Sequence, residues 1–244
     1  MIQTKDGSNT LYSQEFGQHY HSVKEGAINE SLQKHIIPAL SYHKDKKELN
    51  ILDICFGLGY NTLATIYYIK KNNLNIKLKI YSPEFDTELL KSLQTFNYPD
   101  EFIEYKELIN TLSNNLFYED AELRIEIFNG DARKYIKEIN NIDIIYQDAF
   151  SSDVNHLLWT KEYFEDIKKA MSKDSIITTY SIATPIRLSI WENNLYIYEY
   201  KPENSNRITI ASNQEIYKEN YKYIDMKLKK TRNKEATALY DKDN

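Results

Sequence analysis

The chain has 244 residues, 41% of them hydrophobic, which is enough for one substantial core with room for a small appendage. It contains no run of about 18 apolar residues and no charged-then-apolar leader, so a membrane span and a secretory signal are unsupported and the chain reads as cytosolic. A net charge of -5 argues against a protein that coats nucleic acid through general positive charge, and a single cysteine, Cys55, rules out an intrachain disulfide.

In chain order, the first expected element is a hairpin over Ile2 to Tyr12, turned at Asp6-Gly7. A helix should follow between Asn29 and Tyr42, where Leu32, Ile36, Ile37, Ala39 and Leu40 recur at helical spacing, with Asn29 as N-cap and Pro38 as a kink or early stop. Residues 1–45 are thus an N-terminal extension. From Leu49 onward strands and helices alternate, with strands near 50–55, 77–82, 123–128, 142–147, 175–180, 195–200 and 207–212 and helices near 60–71, 86–95, 131–139, 160–171 and 184–192. That alternation specifies a doubly wound α/β sheet in a single domain. Residues 97–120 are too long for a simple loop, and Phe102, Leu108, Ile109, Leu112 and Leu116 suggest one or two inserted helices. Residues 222–244 form a basic tail in which Lys227, Lys229, Lys230, Arg232 and Lys234 are interleaved with tyrosines, either a solvated end or a nucleic-acid contact.

The first strand runs through Cys55 and Phe56 into Gly57-Leu58-Gly59-Tyr60-Asn61-Thr62, a two-glycine turn opening a helix. Glycines permit a tight turn and close approach of a ligand, and the helix N-terminus offers free N–H groups. Thr62 stands where a pyrophosphate-binding fingerprint carries a third glycine. Glu84 ends the second strand roughly 25 residues beyond the glycines, the position from which an acidic side chain accepts hydrogen bonds from ribose. The pair suits an adenosine-bearing cofactor, with a purely structural βαβ turn as the alternative. Asp131, after Gly130, is either an N-cap or a partner for an exocyclic amine. The fourth strand delivers Asp148 to the carboxyl edge of the sheet, where a carboxylate can orient a positively charged or protic group of a substrate. Cys55 is read as a small core residue. His19-Tyr20-His21 lacks the partners that would complete a metal site, and no G-x-S-x-G elbow presents a nucleophilic serine.

Beyond these single features, the chain resembles the methyltransferase half of the MnmC family over nearly its whole length. The resemblance is carried by Tyr12 to Ser22, Gly26 to Ser31, Phe56 to Asn61, Glu84, Gly130-Asp131, and most specifically by Gln147-Asp148-Ala149-Phe150-Ser151 with Asn155 and Leu158-Trp159-Thr160. It implies a class I methyltransferase with a Rossmann-like, mostly parallel seven-stranded sheet and S-adenosylmethionine as methyl donor. By this analogy Phe56, Gly57, Gly59 and Asn61 shape the methionine end, Glu84 holds the ribose, and Asp131 with Ala132 meets adenine. Tyr20 and Glu30 close over the cofactor, and Asp148 faces the acceptor amine as the catalytic residue. The implied reaction is N-methylation of a 5-aminomethyl(-2-thio)uridine at the tRNA wobble position, in a stand-alone form without the FAD oxidase domain and with no metal, membrane or obligate protein partner. The alternatives are a spermidine synthase-like aminopropyltransferase and a non-catalytic tRNA-binding module. The chain departs from the family at Ala149-Phe150-Ser151-Ser152, at Arg187-Leu188 in place of an Arg-Arg pair, and at Pro202 to Arg207 in place of a glycine-rich basic stretch, which bears on tRNA contact more than on the cofactor.

Overall fold

Apolar runs bounded by turns build a sheet whose strand order decides where a ligand can enter. The computed structural model describes residues 1–243. It opens with the expected hairpin, β1 (Ile2–Gln3) and β2 (Asn9–Thr10), paired antiparallel. A second small hairpin, β3 (Tyr12–Ser13) and β4 (Gln18–His19), follows.

The N-terminal helix starts three residues earlier than expected, at α1 (Ala27–Ser31), and its N-cap is Gly26 at φ 95° rather than Asn29. Asp6 of the first hairpin explains the shift. Its carboxylate accepts the Asn29 N–H at 2.8 Å, and a Cβ on Gly26 would fall 2.1 Å from its Cγ. The helix passes through a π-helical stretch, Leu32–Ile36, into α2 (Ile37–Tyr42). Pro38 lacks an N–H and its ring crowds the preceding turn, and the widened π turn absorbs both effects so that the helix continues.

The alternating region contains β5 (Glu48–Ile54), α3 (Tyr60–Lys71), β6 (Lys77–Glu84), α4 (Thr87–Ser92), α5 (Lys106–Asn115), β7 (Phe117–Glu119), β8 (Leu123–Asn129), α6 (Ala132–Tyr135) and β9 (Ile142–Gln147). It continues through α7 (Lys161–Ala170), β10 (Met171–Thr179), α8 (Thr184–Trp191), β11 (Tyr196–Tyr200), β12 (Ile208–Ser212), β13 (Tyr221–Tyr223) and α9 (Met226–Arg232). The nine-stranded sheet has the order β13-β11-β12-β10-β9-β5-β6-β8-β7. The five strands from β10 to β8 pair in parallel, and the remaining pairings are antiparallel. The seven expected strands are all present, and β7 and β13 extend the two edges as three-residue strands too short to show an alternation.

Successive side chains of a strand face opposite layers. Ile51 and Ile144 pack with α1, α2, α3 and α5, while Leu52 and Ile145 pack with α7, α8 and α9. Amphipathic α7 shows how a layer is made: Tyr163, Phe164, Ile167 and Ala170 are buried, and the Thr160 side chain caps its start by accepting the Tyr163 N–H. The basic C-terminal segment is docked rather than solvated along its whole length. Met226 and Ala238 are buried, and Asp241 accepts from both terminal nitrogens of Arg133 at 2.8 and 2.7 Å. Among the described residues no helix is long and apolar enough to cross a membrane. The neighbouring strands β5 and β9 lead away to opposite halves of the sheet, so the crevice beyond their carboxyl ends is the place where an open α/β sheet takes a ligand.

Candidate active site

That crevice is a cleft of about 580 Å³ roofed by the N-terminal extension. Its floor begins at the glycine turn, where Cys55, Gly57 and Gly59 all take positive φ, at 66°, 54° and 72°. A Cβ on Gly59 would lie 2.8 Å from the Phe56 ring, and one on Gly57 would lie 3.3 Å from the Tyr20 ring. A left-handed backbone is uncommon for a cysteine, and it turns Cys55, expected in the core, to line the cleft, although burial still pushes its thiol up.

Glu84 accepts the Gly57 N–H at 2.8 Å and the Asp86 N–H at 2.9 Å. Burial nevertheless raises its carboxyl above the ordinary value, the two amides offsetting only part of the effect. Beyond it, Asp131 caps α6 by accepting the Arg133 N–H at 2.8 Å and also lines the cleft with Ala132, so both of its expected roles are compatible. Phe85, 76% exposed, places an apolar ring beside Glu84 on the same wall.

At the other end, Asp148 follows β9 and is held by Asn61. Asn61 donates to Asp148 at 2.9 Å and to the buried Asp53 at 3.3 Å, and Thr62 donates to Asp53 at 2.9 Å. Burial lifts the Asp53 carboxyl to about 7, with the nearby charge of Asp148 acting in the same direction. Thr62 therefore serves the packed floor of the site. The His35 imidazole approaches Asp148 from beneath, its Nε2 3.4 Å from Oδ1.

The roof is tied down by Gln18, which donates to the Ser151 hydroxyl at 2.7 Å and accepts the Ser151 N–H at 3.3 Å. Phe16 stacks on Phe150 at 4.7 Å, and Tyr20 meets the same ring at 5.1 Å. Burial raises the Tyr20 hydroxyl to about 12, with Glu84 and Asp86 adding to it, so Tyr20 stays a neutral donor. Glu30 accepts the Ser22 N–H at 2.8 Å and the Lys34 ammonium at 2.6 Å, with His21 3.7 Å away. Burial alone would raise Glu30, but His21 and Lys34 hold its carboxyl well below the usual range.

Of the expected site residues, Tyr20, Glu30, Phe56, Gly57, Asn61, Glu84, Asp131, Ala132 and Asp148 line the cleft, and Gly59 lies behind it, shaping the turn. Arg187 is corrected. Standing where the family's Arg-Arg pair bears on tRNA contact, it is 4% exposed and donates to Thr209 at 2.8 Å with Glu199 nearby, which makes it part of the sheet packing. Asp53, His35, Phe85 and Tyr180, the last lining the cleft and donating to the Ala149 carbonyl at 2.9 Å, were missed. Asp53 had a signal, a carboxylate interrupting the apolar run Ile51-Leu52-Asp53-Ile54.

The cleft suits a cationic adenosyl ligand. Glu15, Glu30, Glu84, Asp86, Asp131 and Asp148 line it, whereas its arginine, Arg133, is engaged by Asp241. Asn61 Oδ1 is buried without a partner at the end nearest Asp148, leaving an acceptor for an ammonium group.

Residues 100–215 match a family described as S-adenosyl-L-methionine-dependent methyltransferase. The crystal structure of MnmC2 from Aquifex aeolicus is 31% identical, with a TM-score of 0.79 over 88% of this chain and 70% of that one. An uncharacterized protein of Methanocaldococcus jannaschii is 28% identical over 90% of this chain and 61% of its own length. The tRNA 5-methylaminomethyl-2-thiouridine biosynthesis bifunctional protein MnmC of Aeromonas hydrophila subsp. hydrophila is 25% identical over 83% of this chain. The chain spans only 33% of that bifunctional protein.

Proposed function

The chain belongs to the MnmC2-like family of S-adenosyl-L-methionine-dependent methyltransferases, and from that premise we propose that it N-methylates the 5-aminomethyl group of a wobble (2-thio)uridine in cytoplasmic tRNA. The product is 5-methylaminomethyl(-2-thio)uridine. The observation that carries this reading is Asp148, a carboxylate fixed by Asn61 at the carboxyl end of β9 and open to the cleft. An amine acceptor needs such a group to orient it, to take its proton and to face the positive charge that develops on nitrogen.

When bound, S-adenosylmethionine supplies a sulfonium methyl, so that a C–N bond forms while the C–S electron pair leaves with sulfur. The chain contributes alignment and dryness. Glu84 and Asp131 hold the nucleoside end, Phe56, Gly57 and Asn61 the amino-acid end, and Gly59 sets the turn between strand and helix. Tyr20 and Glu30 close the roof, with Phe16 and Phe150 excluding water, and Asp148 accepts the amine proton. The exposed cations Lys227, Lys230 and Arg232 of α9 form a surface for the tRNA backbone, although Lys230 is shared with Glu192 at 2.8 Å.

The test is single-turnover methyl transfer to tRNA bearing aminomethyluridine. Asp148→Ala should lower the rate by about 10²–10⁴-fold with little change in cofactor affinity. A rate within about threefold of wild type would remove Asp148 from the chemistry. Calorimetry with S-adenosylmethionine and its decarboxylated form separates methyl transfer from aminopropyl transfer, since tighter binding of the decarboxylated form would favour the latter.

A further inference from the structure

His35 lies on the π-helical stretch Leu32–Ile36 and is fully buried. Its Nε2 is 3.4 Å from Asp148 Oδ1 without a hydrogen-bond partner, and its Nδ1 is 2.8 Å from the Thr178 hydroxyl on β10. A buried imidazole nitrogen left unpaired costs stability, so its retention beside the proposed catalytic carboxylate calls for a use. Thr178 provides one. Its hydroxyl also lies 3.5 Å from the Ile145 carbonyl. When it turns to donate there, His35 Nδ1–H donates to Thr178, and Nε2 offers a lone pair toward Asp148. When the hydroxyl donates to Nδ1 instead, Nε2 carries the hydrogen, 3.4 Å from Asp148 Oδ1. Rotation of one hydroxyl thus accommodates either tautomer of the ring, the one whose Nε2 can take a proton from Asp148 and the one whose Nε2 already carries one.

The surroundings favour a proton moving inward. Asp148 and Asp53, joined through Asn61, face His35 from the β9 and β5 sides, with the Tyr146 ring 5.5 Å away on β9 and Thr178 on β10. On its own helix Lys34 is neutralised by Glu30 at 2.6 Å and Glu25 at 3.2 Å. We propose that His35 is a positioning and proton-relay residue, receiving through Asp148 the proton that the acceptor ammonium must shed before its nitrogen can attack. This rests on the amine-methylation reading. The ammonium N–H bond breaks, an O–H bond forms on Asp148, and the proton passes to Nε2. Methyl transfer then makes a secondary ammonium, and the proton on His35 returns through Asp148 to water once the product has left.

The test is the pH profile of single-turnover transfer to aminomethyl-bearing tRNA for wild type, His35→Gln and Thr178→Val, with cofactor affinity measured alongside. Gln keeps a donor toward Asp148 but takes up no proton. Without the relay the ammonium must lose its proton to solvent, and an alkylamine titrates near 10. His35→Gln should therefore be about ten- to a hundredfold slower near pH 7, recover to within about threefold of wild type by about pH 9.5, and bind the cofactor as before. Thr178→Val should move the same limb of the profile in the same direction by less, and it alone decides the matter if His35→Gln does not fold. A deficit that is constant across the pH range marks a packing role and overturns the proposal, as does an unaltered profile. If wild type binds S-adenosylmethionine yet transfers no methyl to aminomethyl-bearing tRNA at any pH, the substrate reading fails and the relay falls with it.

Discussion

The Glu84 carboxylate accepts the Gly57 and Asp86 amides while it lines the cleft, so the residue proposed to hold ribose also holds the glycine turn in place. Glu84→Ala should consequently do two things. Loss of a charge-assisted acceptor, on the order of 1.5–3 kcal/mol, weakens S-adenosylmethionine binding by roughly ten- to a hundredfold. Two amides left without their acceptor lower the melting temperature as well. Calorimetry and thermal melts check both, and unchanged affinity in a destabilised variant would leave Glu84 with the turn alone. Glu84 and Asp148 were legible because each ends an apolar strand, and a carboxylate at that edge stands out from its neighbours. His35 was not, because Thr178 lies 143 residues away in sequence and only the folded sheet brings the two to 2.8 Å.

At the scale of elements, the long alternations from β5 to β12 were legible because each buries a periodic face, whereas the β3–β4 hairpin was not. Its two-residue strands carry no period, and Asp6, from the preceding hairpin, moved the helix start away from Asn29. Yet this second hairpin closes the site, through Gln18 on Ser151 and Phe16 on Phe150. These contacts tie the roof to the loop after β9 and leave the two core layers untouched. Replacing Phe16 and Gln18 together by Ala should therefore weaken cofactor binding by about three- to tenfold, chiefly through faster release, since a stack and two partly buried hydrogen bonds contribute roughly 0.5–1.5 kcal/mol each and are only partly felt by the ligand. The melting temperature should move little. Stopped-flow release of the bound cofactor is the measurement, and an unchanged release rate would show that the roof opens elsewhere.

For the whole molecule, two carboxylates give stability a pH dependence of opposite sign. Glu30, held well below the usual range by His21 and Lys34, stabilises the fold above its ordinary titration range, and that contribution is lost only as the solution becomes strongly acidic. Asp53 runs the other way. Burial raises it to about 7, so the folded state binds this proton more tightly than the unfolded chain does. Its contribution is complete below the unfolded value near 4 and disappears as pH rises through about 7. Asp53→Asn mimics the protonated acid, because its amide N–H can donate to Thr62 while Oδ1 still accepts from Asn61. Wild type and variant should accordingly melt together at about pH 4 and below, and the variant should melt several degrees higher at about pH 8.5, the range in which wild type carries a buried negative charge beside Asp148. Thermal melts of both proteins across that range check this. A difference of equal size at both ends would mean that Asp53 titrates alike in the folded and unfolded chain and overturn the burial effect.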